Sequence, residues 1–244
     1  MSEMLTRLGA RGILLDIEGT TTPIAFVHEV LFSYARTYAR SFLANNLDND
    51  EVRADIALLR EENALDVKET RYPTPLSPSE IESIATYIDW LIALDRKSTG
   101  LKSLQGKIWR QGYQDGSLKS PVFPDVQPAL KRWHEAGLNI SIFSSGSVLA
   151  QQLLFAHTEA GNLTKYISSY FDTNVGKKGE PDSYQRIAIA LDLLPEKILF
   201  ISDVINELEA ANEAGMKTLL SIRPGNPPQD SAERYQAIHS FDGV

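Results

Sequence analysis

From Phe123 onward the chain alternates short apolar runs with amphipathic stretches, and this alternation constrains the fold more than any other feature. The spacing predicts helices over 126–136, 147–160, 181–191 and 207–214, and strands over 138–143, 167–171, 198–201 and 218–222, with a closing helix near 231–238. Strands separated by helices pair in parallel, with helices on both faces of the sheet. One further apolar run, Gly12-Ile13-Leu14-Leu15, reads as a buried strand, yet the next hundred residues carry only helical patterns. These patterns cover 27–42, 51–60 and beyond, a start at Ser77-Pro78-Ser79-Glu80 running to about 94, and 98–113. The first strand has no local partner and is expected to join the later sheet. The expected class is α/β: a parallel-sheet core from residues 1–22 and 123–244, with an all-helical block inserted over 23–122.

A chain of 244 residues with 43% hydrophobic content can bury a full core. Its net charge of -8, without runs of Lys or Arg, gives no footprint for nucleic acid or an anionic membrane surface. Cysteine is absent, which removes disulfides, thiolate metal sites and thiol nucleophiles. No apolar stretch is long enough to span a membrane, and the first residues lack the basic-then-apolar pattern of a signal peptide. A cytoplasmic monomer is expected. The four histidines are scattered without metal-ligand spacing, and there is no dinucleotide fingerprint, Walker loop or nucleophile elbow.

Three apolar strands each stop at polar residues. The first ends at Asp16-Ile17-Glu18-Gly19-Thr20, the second at Ser144-Ser145-Gly146-Ser147, the third at Ser202-Asp203. In a parallel sheet all such ends share one edge, where ligands bind. Each has an ordinary explanation as a turn or a helix cap; their joint occurrence points to a site. The serine turn ahead of a helix suits a phosphate, and Gly176-Lys177-Lys178-Gly179 can bring a fixed cation beside it. Asp203 and Glu207 lie four apart and, with Asp16, form a hard-oxygen set suited to Mg²⁺. Trp109, Tyr113 and Lys107 lie on a helix of the insert, where aromatics at helical spacing are more often interior than ligand-binding.

These motifs resemble those of the haloacid dehalogenase superfamily. Glu18 stands where the usual first motif has Asp, and with this departure Asp16–Val27 looks like the signature of the enolase-phosphatases of methionine salvage. So do Leu94-Asp95-Arg96-Lys97, Leu104–Trp109, Ser144–Ser147, Phe171-Asp172-Thr173 and Arg223-Pro224-Gly225-Asn226. The stretch 61–76 and the extreme tail do not share the resemblance.

The resemblance implies a haloacid-dehalogenase-like, Rossmann-like core with the insert as a helical cap, one Mg²⁺ per chain and a small-molecule phosphate partner, 2,3-diketo-5-methylthiopentyl-1-phosphate, which is enolised and then dephosphorylated to an acireductone. It implies Asp16 as the nucleophile that forms an aspartyl-phosphate and Glu18 as proton donor and later base. Asp16, the Glu18 main-chain carbonyl and Asp203 are implied as metal ligands, with Glu207 ordering the metal's waters. Ser144, Ser145 and Lys178 are implied to hold the phosphoryl oxygens; Lys177 is the rival to Lys178 on spacing alone. A related phosphatase for another small ester, or a signalling receiver domain that keeps its phospho-Asp, shares parts of the pattern.

Overall fold

The computed structural model describes residues 2–77, 80–96, 98–229 and 232–244. They form two compact units, Met1–Val27 with Lys119–Val244, and His28–Leu118. In chain order, α1 (Glu3–Leu8) leads into β1 (Gly12–Leu15). After a π-helical turn over Phe26–Leu31, the second unit is built from α2 (Phe32–Asn46), α3 (Asp50–Lys68), α4 (Ile81–Ala93) and α5 (Thr99–Gln114). The chain then returns to the first unit with α6 (Val126–Glu135), β2 (Asn139–Phe143), α7 (Val148–Ala156), β3 (Ser169–Phe171) and α8 (Pro181–Ala190). It finishes with β4 (Ile198–Ser202), α9 (Ile205–Glu213), β5 (Lys217–Ser221) and β6 (Ala237–Ile238).

The six strands among the described residues form one parallel sheet in the order β3-β2-β1-β4-β5-β6. β1 is central, with Gly12 opposite Asn139 on one side and Ile198 on the other. Every residue of β1 and β4 is buried, which is why both read as unbroken apolar runs. Leu14, Phe143 and Phe200 meet Tyr184, Ile187, Leu208 and Ala211 from α8 and α9 on one face. α6 and α7 lie against β2 and β3. Trp133 packs its ring 5.3 Å from Phe241 and donates its Nε1 hydrogen to the Val244 carbonyl. The chain leaves β1 toward β2 on one side and later fills β4 on the other, so the crevice at the C-terminal end of β1 is a topological switch point.

The second unit has its own interior. Trp109 donates Nε1 to the Leu31 carbonyl at 2.8 Å, Lys107 pairs with Asp55 at 2.5 Å, and Tyr113 is buried. Asp66, fully buried near the end of α3, receives the Tyr87 hydroxyl at 2.6 Å and ion pairs from Arg96 and Arg71 at 3.0 and 2.9 Å. Its main-chain carbonyl accepts from Arg71 and Tyr72, so one residue ties the helix end to the loop that follows.

Several elements differ from the sequence expectation. The tail is not a helix: a 3₁₀ turn over Ala232–Arg234 is followed by β6, whose neighbours supply the partners of β5's outer edge through Leu220 N to Gln236 O and Ile222 N to Ile238 O. α7 ends at Ala156, four residues early, because 158–161 closes its own turn through Thr158 Oγ1 and Gly161 O and pairs at Ser120. α9 begins at Ile205, and α1, capped by the Ser2 hydroxyl, has no counterpart in the expectation. Of the capped start expected at Ser77, Pro78 and Ser79 lie outside the described residues; α4 itself begins at Ile81 behind Glu80. Among the described residues, no helix is long and apolar enough to cross a membrane.

Asp66→Asn keeps the side-chain shape but removes the charge that two arginines share. Both arginines retain contact with water, so the cost should fall below that of a fully buried pair, at about 1–3 kcal/mol. Urea unfolding followed at the tryptophans of the second unit, Trp90 and Trp109, checks it.

Candidate active site

β1 stops at Leu15, but the Asp16 amide still donates to the Ile201 carbonyl at 3.0 Å, which fixes Asp16 on the strand line beside β4. Continuing the register places Asp16 next to Phe143 and Ser202, with Ser144 and Asp203 one residue further along the same edge. The loop beyond Asp16 closes on itself. The amides of Thr20, Thr21 and Thr22 converge on the Ile17 carbonyl at 3.2, 2.9 and 3.0 Å, and Gly19 N donates to Thr22 O at 2.8 Å. Gly19 has φ +67°, and a Cβ there would collide with the Asp203 carboxylate, so only glycine lets the loop lie this close to β4's end.

Lys178 joins the carboxylates. Its Nζ lies 2.6 Å from Asp16 Oδ1 and 2.7 Å from Glu207 Oε2, with the ring of Phe143 beneath it. The Ile17 amide also donates to Asp16 Oδ1, at 2.8 Å. Ser202 Oγ donates to Glu207 Oε2 at 2.9 Å, accepts from Val204 N and lies 3.4 Å from Asp16 Oδ2. Lys178 is delivered from its loop by main-chain bonds: the Tyr184 hydroxyl holds its carbonyl at 2.7 Å, and Ser183 Oγ holds that of Lys177 at 2.7 Å. Tyr184 is itself wedged between Phe143 and Phe200.

Three buried carboxylates face one ammonium here. Burial works to lower the Lys178 pKa, but Asp16 and Glu207 outweigh it and hold the amine firmly protonated. Asp203 is pushed up to about 7, by burial first and then by repulsion from Asp16 and Glu207. Glu207 is raised too, by burial and by Asp16, against the pull of Lys178. A site so short of positive charge suits a hard cation. Among the described residues, no three acidic or histidine side chains converge closely enough to hold an ion by themselves. Asp16 and Asp203 lie at this edge as carboxylates that could serve as donors to such an ion.

Of the residues expected from sequence, Asp16, Lys178, Asp203 and Glu207 gather at the ends of β1 and β4. Glu207 is paired with Lys178. Lys177 points away, exposed and paired with Glu180 at 3.1 Å. Ser144 is buried at the end of β2, where its Oγ accepts from Gly146 N; half-buried Ser145 follows, and Ser147 caps α7 through Ala150 N. Glu18 is half-buried within the closed loop. The Ser202 link between Asp16 and Glu207 was missed. Its signal is a serine directly before a strand-end Asp, which sequence reading assigns only to capping.

A carboxyl whose pKa rises from 3.8 to about 7 on folding binds its proton more tightly in the folded chain. The associated stability is present below the lower value and is lost as pH rises through the higher one. Without added cations, stability should therefore fall by on the order of 1–3 kcal/mol across that window. Asp203→Asn should remove most of this fall and exceed the parent in thermal midpoint near pH ~8. Thermal melts in EDTA over a pH series check both; an unchanged slope in the variant would assign the effect elsewhere.

A family model of haloacid dehalogenase-like hydrolases matches residues 10–215. The chain is 53% identical over 230 residues to the Enolase-phosphatase E1 of Synechococcus elongatus, covering 94% of this chain and 95% of that one. It is 42% identical over 247 residues to a Vitis vinifera protein whose name joins a methylthioribulose-1-phosphate dehydratase to an enolase-phosphatase, covering 98% of this chain and 48% of the longer one. The crystal structure of the UTR4 protein of Saccharomyces cerevisiae matches with a TM-score of 0.79 at 34% identity, over 96% of this chain and all of that one. With its strand order, its β1-end carboxylate and these likenesses, the chain belongs to the haloacid dehalogenase-like hydrolases and, within them, to the enolase-phosphatases.

Proposed function

We propose that the chain converts 2,3-diketo-5-methylthiopentyl-1-phosphate to its enediol phosphate and then to acireductone and phosphate, using Asp16 as nucleophile. The observation that carries the reading is the Asp16 carboxylate at the switch point of the sheet, its Oδ1 fixed by Lys178 and the Ile17 amide. The Vitis vinifera relative supports the substrate class, since its name pairs the same activity with a dehydratase of a methylthio-sugar phosphate.

Asp16 attacks phosphorus, forming an Asp16–O–P bond as the bond from phosphorus to the substrate oxygen breaks. Glu18 gives its proton to that leaving oxygen. Water then attacks phosphorus, Glu18 takes its proton, and the Asp16–O–P bond breaks to release phosphate and restore the carboxylate. Lys178, with Ser144 and Ser145 from the neighbouring strand end, holds phosphoryl oxygens whose charge redistributes during transfer. Asp16, Asp203 and the Glu18 main-chain carbonyl are the groups that would hold Mg²⁺, which supplies charge neutralisation at the transferring group when bound. Glu207 keeps Lys178 charged and aimed at Asp16.

Asp16→Asn should lower phosphate release at least ~10³-fold while the variant stays folded. The assay is acireductone absorbance together with phosphate release from the diketo phosphate, with and without EDTA. Turnover of unrelated phosphate esters without acireductone formation would overturn the substrate assignment. Release by the Asn variant that survives a check for deamidation would overturn the nucleophile.

A further inference from the structure

The turn Arg223-Pro224-Gly225-Asn226, with Ser221 ahead of it, takes no part in the chemistry above, yet its side chains grip the loop that carries Glu18. Asn226 Nδ2 donates to the Gly19 carbonyl at 2.9 Å, and Ser221 Oγ donates to the same carbonyl at 3.3 Å. Arg223 Nε donates to the Thr20 carbonyl at 3.1 Å, and Phe123 N to that of Thr21 at 3.0 Å. Three successive carbonyls are thus held from outside, while the amides of residues 20–22 close the loop from inside on Ile17. A loop tied both ways moves as one body.

The anchor is Arg223. Its guanidinium is nearly buried, forks onto both oxygens of Asp125 at 2.9 and 2.8 Å, donates to the His239 carbonyl, and lies between the rings of Phe123 and Phe241 at 4.8 and 4.4 Å. Asp125 is fixed in turn by the Phe241 amide. Asn226 reaches forward from this fixed point. Its Oδ1 is enclosed and, among the described residues, has no hydrogen-bond partner, so the donor end orients the amide, toward Gly19 O and, at 3.4 Å, Ser221 O. Gly19 also abuts Asp203, since a Cβ there would strike both Asp203 and Asn226.

We propose that Asn226, anchored through Arg223, is a positioning residue that sets the tilt of the loop and so the reach of Glu18 to the leaving oxygen. This rests on the assignment of Glu18 as proton donor and base. Loss of the Asn226 bond leaves Asp16 on its strand and the Gly19 carbonyl with only the longer Ser221 contact, so the loop shifts at Glu18; at saturating Mg²⁺ this should impair proton transfer more than nucleophilic attack.

The test compares two leaving groups in single-turnover reactions with Mg²⁺ present, on the parent, Asn226→Ala and Glu18→Gln. The diketo phosphate needs a proton on its leaving oxygen; p-nitrophenyl phosphate does not. Asn226→Ala should slow transfer from the diketo phosphate about 10–100-fold while nitrophenol release changes less than about 3-fold, with Glu18→Gln showing the same split more strongly. Because the readout is a ratio within one preparation, partial unfolding cancels. Asn226→Ser, too short to reach Gly19 O, should repeat the split and serves if the alanine variant does not fold. Equal losses on both esters, or none, in the Asn226 variants alongside a clear split in Glu18→Gln would overturn this inference alone. No split in Glu18→Gln would overturn the Glu18 assignment, and this inference with it.

Discussion

The ammonium of Lys178, buried between Asp16 and Glu207, is the interaction on which the site depends. A lone lysine in that position would cost several kcal/mol in lost hydration, and three bare carboxylates would repel one another as strongly. Each side makes the other tolerable. The pair also settles geometry, because one Asp16 oxygen is committed to Lys178 and the Ile17 amide while the other is left near Ser202. Compensation is incomplete, and the deficit falls on Asp203, the carboxylate without a lysine of its own. The protein holds an environment that is poorly matched to its own charges. Such mismatch is how folded proteins store binding capacity at the expense of stability.

The sheet makes this assembly possible with little further machinery. Parallel pairing puts the ends of β1, β2 and β4 on one edge, so a carboxylate, a serine turn and a second carboxylate become neighbours although more than a hundred residues separate the first from the others. The contribution from α8 is of another kind: its first turn supplies two hydroxyls that seize the carbonyls of Lys177 and Lys178 and so decide which lysine turns inward.

Much of this was legible before any coordinates. The strands that matter are short apolar runs buried on both faces, and such runs announce themselves; so do their polar ends. Parallel topology then brings Asp16, Ser144 and Asp203 together by rule rather than by luck. What stayed hidden was long-range and side-chain specific. Adjacent lysines are equivalent on paper and are separated only by Ser183 and Tyr184. Arg223 and Asn226 stood out as part of a signature, but nothing local says that they reach Thr20 and Gly19. The tail has few apolar residues, and their spacing suits a helix; the unpaired outer edge of β5 draws it into a strand instead. Ser202-Asp203 before a helix offers a cap from either residue, and nothing local says that the serine reaches Glu207.

The placement of β1 has a consequence for how the chain is made. β1 precedes both of its partners in the chain by more than a hundred residues. In the interval the four helices of the second unit can assemble from local contacts alone, while a fully apolar strand waits with no ladder to join. The centre of the sheet can therefore pair only after the intervening helical unit has been made, which puts its closure among the late, non-local steps of folding.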